Sequence, residues 1–183
     1  MPRYRAEKLK RIIRTGKKIE SIAKALGMSV RIADRKGTPV ERLRPGRSSF
    51  TEILQASDVI ILAVPLDEST HNLISEYELQ QIRSTGIVVN VSRGGVMDEC
   101  ALAQALKEGC ISGAATDVFS KEPARKGGNV LLDADKPVPN LIISPHVAWY
   151  ASSSIKNLQD TIKANVEGFL DGEPRNLVGL QAC

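Results

Sequence analysis

The sequence contains little cysteine, few aromatic residues and no long hydrophobic run. It has three cysteines among 183 residues, and Phe, Trp and Tyr together make up 4%. Three cysteines without metal-type spacing predict neither a disulfide framework nor a metal site, and they fit a reducing compartment. The longest apolar stretch, residues 59–64, is far shorter than the ~20 residues that span a membrane. We therefore expect a cytoplasmic protein without a membrane segment or a bound metal.

Charge is distributed unevenly along the chain. Residues 1–47 contain 15 Lys and Arg against 4 Asp and Glu, whereas the remainder contains 10 against 17. A basic segment of this kind can bind nucleic acid or an anionic surface, or can be a transit peptide. Stacking aromatics, on which single-stranded nucleic acids usually bind, are scarce here. A solvated basic helix is the simpler interpretation, so we expect no nucleic-acid partner.

Hydrophobic periodicity alternates between helix and strand from residue 16 onward. Parallel strands joined by helices give an α/β layered sheet, so the fold class predicted is α/β, a Rossmann-like doubly wound parallel sheet. A polar connection is predicted over 35–47 and a long loop over 120–140. Five helices are predicted: one at 16–26, one after each of the capping residues Ser49, Ser75 and Asp98, and one at 152–170. Strands are predicted at 29–34, 58–64, 86–92, 111–119 and 141–144.

Ligands of open α/β sheets bind beyond the carboxyl ends of the strands. Asp34 closes the first predicted strand, 18 residues after Gly16. An acidic residue about 20 positions beyond a phosphate-binding loop accepts hydrogen bonds from the adenosine ribose. Asp34 would repel a 2′-phosphate, so NAD is favoured over NADP, although Arg35 and Lys36 could soften that preference. A turn aspartate at a strand end is the structural alternative.

Three further side chains with catalytic chemistry each follow a different predicted strand. Arg93 precedes two glycines, and a guanidinium there can grip a carboxylate through two hydrogen bonds. His146 can exchange a proton near neutral pH, and a carboxylate such as Glu122 beside it would fix its tautomer. Each has an ordinary structural interpretation when taken alone. Their joint placement after three strands favours an active site.

Four segments carry a specific resemblance. They read VPL at 64–66 followed by Thr70, VNVSRGG at 89–95, TDVFSKEP at 116–123 and SPHVAW at 144–149. On these motifs, residues 16–178 resemble the nucleotide-binding domain of the D-isomer-specific 2-hydroxyacid dehydrogenases. The residues around Asp34 and His146 are most similar to those of the glycerate dehydrogenase, or hydroxypyruvate reductase, branch of this family.

The resemblance implies a role for each matched residue. His146 matches the general acid/base, Glu122 its orienting carboxylate, and Arg93 the residue that binds the substrate carboxylate. Asp34 matches the ribose ligand. The other cofactor positions implied are Gly16 in the glycine fingerprint, Val64, Pro65 and Thr70 on the adenosine and phosphate side, Val91 and Ser92 near the nicotinamide ribose, and Asp117 at the carboxamide, with Arg93 and His146 also touching the cofactor.

The sequence departs from the family in two places. If Gly16 is the third glycine of Gly-x-Gly-x-x-Gly, the first two positions hold Arg11 and Ile13, which predicts weakened cofactor binding. The first strand and the substrate domain are expected to be missing, and residues 1–15 are predicted to form a helix and not that strand. The domains expected are a divergent basic lead at 1–15, an incomplete NAD-binding domain at 16–171 and a tail at 172–183.

Three functions remain open on the sequence. The first is an NAD-dependent oxidoreductase acting on small 2-oxo or 2-hydroxy acids of the hydroxypyruvate, glyoxylate or glycerate type, poorly active as this short chain. The second is a non-catalytic fragment that binds NAD or dimerises. The third is a corepressor-type member of the same family. The partners expected are the small acid substrate and a second copy of the chain in a homodimer.

Overall fold

The computed structural model describes residues 16–133 and 135–176 of the chain. Two compact units divide at the bond between His146 and Val147. The prediction that residues 1–15 form a helix lies outside the described residues, as do the glycine-fingerprint positions Arg11 and Ile13. The predicted division into lead, domain and tail stays a prediction, because 1–15 and 177–183 are not described.

The first unit alternates helices and strands as predicted. All its strand pairs are parallel, and the larger sheet has the order β3-β4-β5-β6. The α/β Rossmann-like class is therefore confirmed. Its elements are α1 (Lys17–Ala25), β1 (Ile32–Ala33), β2 (Arg47–Ser48), α2 (Phe50–Ala56), β3 (Val59–Leu62), α3 (Glu76–Gln81), β4 (Ile87–Asn90), α4 (Glu99–Lys107), β5 (Gly113–Thr116) and β6 (Leu141–Ile143).

A second, two-stranded sheet departs from the prediction. Strand β2 pairs in parallel with β1, with Ile32 opposite Arg47 and Ala33 opposite Ser48. The prediction of a polar connection over 35–47 did not include this strand, which begins at Arg47. Two half-buried polar residues carry no periodic signal, so nothing in the sequence distinguished them from a loop. The other strands are shorter than predicted, because the apolar runs continue into the turns at the strand ends.

Capping residues begin three of the helices as predicted, and the third, Ser75, forms a capping box with Glu78 at the start of α3. The Asp98 carboxylate accepts hydrogen bonds from the backbone N–H groups of Cys100 and Ala101, and so satisfies two donors at the start of α4. The Ser49 hydroxyl accepts one from the Glu52 N–H at the start of α2. The Glu52 carboxylate pairs with Arg31, which joins α2 to the residue before β1.

The core lies between the larger sheet and its helices. Ile60 and Leu62 on β3 and Val88 on β4 have no solvent exposure, and they belong to one cluster with Ile53 of α2 and Leu102 of α4. Burying apolar side chains of this size stabilises the fold by about 1.5–3 kcal/mol each. Because this core fixes the strands, it also fixes the loops at their carboxyl ends.

The second unit contains α5 (Ser152–Leu170), whose ends are those predicted from the sequence. Leu158, Ile162 and Val166 follow one another at four-residue spacing on α5, and each is more than half exposed. Among the helices that the described residues form, none is both long and apolar enough to cross a membrane.

Candidate functional site

His146 and Glu122 form a close pair beyond the ends of β6 and β5. The His146 Nδ1 lies 2.7 Å from the Glu122 Oε2. The predicted approach of these two groups to hydrogen-bonding distance is therefore confirmed. The His146 backbone has a φ of +56°, in the left-handed region that few non-glycine residues adopt and that is enriched at functional sites.

The electrostatics of this pair follow from its contacts. The hydrogen bond with His146 holds the pKa of the Glu122 carboxyl below its ordinary value, and the Phe119 N–H bonded to Oε1 at 2.9 Å lowers it further. Glu122 is therefore ionised at neutral pH and can accept a hydrogen bond from an Nδ1–H. In the tautomer in which Nδ1 donates, Nε2 is the ring nitrogen that can accept a proton.

Arg93 lies on the loop after β4, and its charge also lowers the pKa of Glu122. Its side chain is exposed, and Nη1 donates to the Ser92 carbonyl at 2.7 Å. The sequence predicts one active site for Arg93, Glu122 and His146, but these residues line two different cavities. Arg93 lines a cavity of about 670 Å³ at the ends of β3 and β4. Glu122 and His146 line a different cavity of about 580 Å³.

Asn90 organises the Arg93 loop and was not assigned a role from the sequence. Its side chain is fully buried, and its Nδ2 donates to the Arg93 carbonyl at 3.0 Å. Its Oδ1 accepts from the Ser92 N–H at 3.0 Å and from the Ser92 hydroxyl at 2.7 Å. An amide at the end of an otherwise apolar strand was the available signal, since buried polar groups need partners.

Most of the expected cofactor residues line one or both of two cavities. Val64, Pro65, Val91 and Ser92 line the same cavity as Arg93, together with Ile19 of α1. Gly16 is the residue at which α1 begins. Thr70 lines a smaller cavity with Asp34, and its hydroxyl donates to the Pro65 carbonyl at 2.7 Å. Thr70 thus also holds the loop after β3 in shape.

Asp34 is buried at the end of β1, where the ribose ligand was expected, but its carboxylate is already engaged. Arg44 donates to it from Nε at 3.0 Å and from Nη2 at 2.5 Å. These hydrogen bonds hold the pKa of the Asp34 carboxyl well below its ordinary value. Sequence reasoning missed Arg44, which follows ten residues later in a stretch without periodicity.

A buried carboxylate, that of Asp117, directly follows β5 and is bonded to Ser144, which lines the cavity of the catalytic pair. The Asp117 side chain accepts a hydrogen bond from the Ser144 hydroxyl, and its backbone N–H donates to the Asn90 carbonyl at 3.0 Å. Asp117 is 5% exposed. A carboxylate beside a hydroxyl suits the donor and acceptor of a carboxamide. With the strand-end cavity, these residues fit a nicotinamide dinucleotide.

The family comparison agrees with this geometry. The model of the D-isomer specific 2-hydroxyacid dehydrogenase NAD binding domain matches residues 13–148. This chain belongs to that family. The resemblance inferred from the motifs is therefore confirmed, and the matched range contains every residue of the site described above. The family domain is one that binds NAD, as the sequence predicted.

Individual relatives support the same assignment. Glycerate dehydrogenase of Methylorubrum extorquens is 44% identical over 163 residues, which are 89% of this chain and 49% of the relative. Glyoxylate reductase of Thermococcus gammatolerans is 36% identical over 168 residues, 90% of this chain and 48% of the relative. The chain thus spans about half the length of the curated relatives it matches.

A solved structure shares the fold over nearly the whole chain. The NAD-complexed form of the D-isomer specific 2-hydroxyacid dehydrogenase from Lactobacillus delbrueckii ssp. bulgaricus superimposes with a TM-score of 0.76 and 29% identity. The match covers 94% of this chain and 55% of that one.

Proposed function

We propose that the chain carries the cofactor-binding and proton-transfer half of an NAD-dependent oxidoreductase for small 2-oxo and 2-hydroxy acids. The observation that carries the proposal is the 2.7 Å contact between His146 Nδ1 and Glu122 Oε2. The hydroxypyruvate, glyoxylate and glycerate type of substrate is favoured because relatives named glycerate dehydrogenase and glyoxylate reductase match most of this chain.

Each of the three polar groups has a distinct task in this proposal. In the direction of oxidation, His146 Nε2 accepts the proton of the substrate hydroxyl, and the Glu122 carboxylate stabilises the imidazolium that forms. In reduction the same nitrogen returns the proton to the carbonyl oxygen. Arg93 binds the substrate carboxylate through its guanidinium. General acid/base catalysis of this kind typically contributes a factor of about 10²–10⁴ in rate.

The remaining residues position the cofactor. Asp117 and Ser144 would hold the carboxamide of the nicotinamide. The backbone at Val91 and Ser92 would contact the nicotinamide ribose. Val64, Pro65 and Thr70 would line the adenosine and phosphate side of the cofactor. A nicotinamide held by these residues would supply the chemistry of hydride exchange with the substrate C2. The cofactor domain is proposed to extend over 16–171, beginning at Gly16.

The proposal is tested by following NADH oxidation with hydroxypyruvate and with glyoxylate. We expect turnover well below the roughly 10 per second of an ordinary enzyme, because the chain spans about half the length of its relatives. His146→Ala should abolish that rate, while His71→Ala, at the other histidine, should retain it. Measurable turnover that survives His146→Ala would contradict the assignment of the acid/base.

A non-catalytic role is the outcome that competes with this proposal. NADH binding detected by fluorescence, without any turnover that depends on His146, would support a fragment that binds cofactor and does no chemistry.

We also propose a homodimer located in the cytoplasm. The exposed apolar residues Leu158, Ile162 and Val166 of α5 and the free cysteines Cys100 and Cys110 support this. Light scattering coupled to gel filtration measures the oligomeric state.

A further inference from the structure

Asn90 is a polar residue in a position where a protein core ordinarily holds an apolar one. It ends β4, which lies between β3 and β5 in the larger sheet. Its side chain lies on the same side of the strand as that of Val88, and both residues are fully buried. Asparagine is uncommon in strands, and burying an amide costs free energy unless its polar atoms are hydrogen-bonded. The hydrogen bonds that Asn90 makes therefore have to offset this cost.

The side-chain amide of Asn90 holds the chain on both sides of one carbonyl, that of Ser92. Its Oδ1 accepts hydrogen bonds from the Ser92 N–H at 3.0 Å and from the Ser92 hydroxyl at 2.7 Å. Its Nδ2 donates to the Arg93 carbonyl at 3.0 Å. Along the chain, the Ser92 carbonyl lies between the Ser92 N–H and the Arg93 carbonyl. The contacts of Oδ1 and Nδ2 together therefore restrict the orientation of the Ser92 carbonyl.

The Ser92 carbonyl in turn holds the Arg93 side chain. It accepts a hydrogen bond from the Arg93 Nη1 at 2.7 Å. The Arg93 side chain is exposed, so burial does little to limit its rotamers. Because the N–H groups of a guanidinium form a rigid planar fork, fixing Nη1 also sets the direction of the N–H groups that a carboxylate would meet.

The backbone of Asn90 makes a further contact with the next strand along the sheet. Its carbonyl accepts a hydrogen bond from the N–H of Asp117, the residue after its register partner Thr116, at 3.0 Å. Asn90 is thus bonded to three residues with different tasks in the proposed function. Ser92 is assigned to the nicotinamide ribose, Arg93 to the substrate carboxylate and Asp117 to the carboxamide. Among the side-chain atoms of Asn90, Nδ2 is the one that contacts the substrate-binding residue directly.

We propose that Asn90 is a positioning residue for Arg93, and that it holds the guanidinium, through the Ser92 carbonyl, in the orientation that binds the substrate carboxylate. The inference rests on the proposed function and adds to it a buried residue on which the affinity for the substrate depends. The Asn90 Nδ2 bonds to Arg93 and its Oδ1 bonds to Ser92, so substitution can remove the first contact and keep the second.

Asn90→Asp and Asn90→Ser each remove Nδ2 while they keep a side-chain oxygen. Asp and Ser form the same kind of turn as Asn, in which that oxygen accepts from the N–H two residues later. The contact with the Ser92 N–H is therefore retained. Asn90→Asp keeps the shape of the side chain and adds a charge, whereas Asn90→Ser adds no charge and leaves a smaller side chain. An effect common to both comes from the lost contact with the Arg93 carbonyl.

Calorimetric titration of the full chain with NADH, and then with oxamate at saturating NADH, measures the two affinities separately. Oxamate has the carboxylate and adjoining carbonyl of a 2-oxo acid and does not accept hydride. We expect both Asn90 substitutions to weaken oxamate binding by about 10-fold, or about 1.4 kcal/mol, and to leave the affinity for NADH unchanged. A residue that only stabilised the fold would lower both affinities together.

Asn140→Asp is the matched control. Asn140 is exposed and directly precedes β6, so it lies at the opposite end of the parallel strands from Arg93. This substitution introduces the same group as Asn90→Asp and should change neither affinity.

Two results would overturn this inference and leave the proposed function intact. One is an equal weakening of NADH and oxamate binding in the Asn90 variants, and the other is oxamate binding as tight as in the native chain. Failure of the native chain to bind NADH, or to bind oxamate at saturating NADH, would overturn the proposed function together with the inference.

A measurement without substrate covers the case in which the Asn90 variants do not fold. Rotation of an arginine guanidinium about its Nε–Cζ bond, which ¹⁵N NMR measures, is slowed by hydrogen bonds to its Nη groups. In the native chain the Arg93 guanidinium should rotate more slowly than that of the exposed Arg42, and Asn90→Asp should reduce this difference. Equal rates for Arg93 and Arg42 in the native chain would overturn the inference.

Discussion

A β-carbon on Gly94 would lie 1.8 Å from the carbonyl carbon of Phe119. No side chain fits in this space, so the loop that carries Arg93 is in direct backbone contact with the loop that carries Glu122. The Phe119 N–H in turn donates to the Glu122 Oε1 at 2.9 Å. Close packing at Gly94 is therefore what brings the predicted substrate-binding arginine near the catalytic pair.

Gly94→Ala should destabilise the protein and separate these loops. Overpacking a filled site typically costs about 1–3 kcal/mol, occasionally more, and here the obstructing atoms belong to rigid backbone. Urea unfolding measures the loss. Gly128→Ala is the matched control, because a β-carbon there would be 3.6 Å from its nearest neighbour, the Arg125 carbonyl oxygen. A Gly94→Ala variant as stable as the control would show that the contact between the loops is dispensable.

The pKa of the Glu122 carboxyl should depend on the presence of the His146 side chain. The hydrogen bond from His146 is the main cause that holds this pKa below its ordinary value of 4.5. His146→Ala should therefore raise the Glu122 pKa towards that value, as measured by carboxyl ¹³C NMR. His71→Ala is the control and should leave it unchanged. A Glu122 pKa that does not respond to His146→Ala would contradict the pairing.

Acid should weaken the fold through Asp34. Its pKa in the folded chain lies well below the ordinary value of 3.8, so the unfolded chain binds this proton first as the pH falls. The ion pair with Arg44 thus stabilises the fold fully above about pH 4, and this contribution is lost as the pH falls further.

Substitutions of Asp34 or Arg44 should make the stability of the protein depend less on pH in acid. The free energy of unfolding, measured by urea denaturation from pH 7 to pH 3, should fall less steeply below pH 4 in Asp34→Asn and in Arg44→Gln than in the native chain. Arg42→Gln should keep the native slope. If the Asp34 and Arg44 variants followed the native curve, the ion pair would contribute nothing to acid stability.

The sequence predicted the alternation of helices and strands because periodic apolar residues determine both. It also predicted the contact of His146 with Glu122, since parallel topology brings strand ends to a common edge. It did not predict that Arg44 would engage Asp34. That contact depends on a two-residue strand, β2, and on a connection whose path is set by tertiary packing. The same holds for Asn90, whose partners are loop backbone groups that no periodicity describes.

Glu99 at the start of α4 restrains the loop that leads to Glu122. Its carboxylate accepts from the Ser120 N–H at 2.5 Å, from the Ser120 hydroxyl at 2.9 Å and from the Asn129 side chain at 2.7 Å. Hydrogen bonds to a charged group are worth about 1.5–3 kcal/mol each, although not additively. We therefore expect Glu99 to act as a positioning residue for Glu122, through the loop that Ser120 begins.

Glu99→Ala should loosen this loop in two measurable ways. Hydrogen exchange at the Ser120 amide should become faster, because its acceptor is gone. The Glu122 pKa should rise towards 4.5, since the neighbouring Phe119 N–H, which helps to lower it, becomes less well ordered. Glu108→Ala, at the other end of α4, removes an exposed carboxylate that accepts from Gln104 and should change neither quantity. Unchanged exchange at Ser120 in Glu99→Ala would mean that packing at Gly94 alone holds the loop.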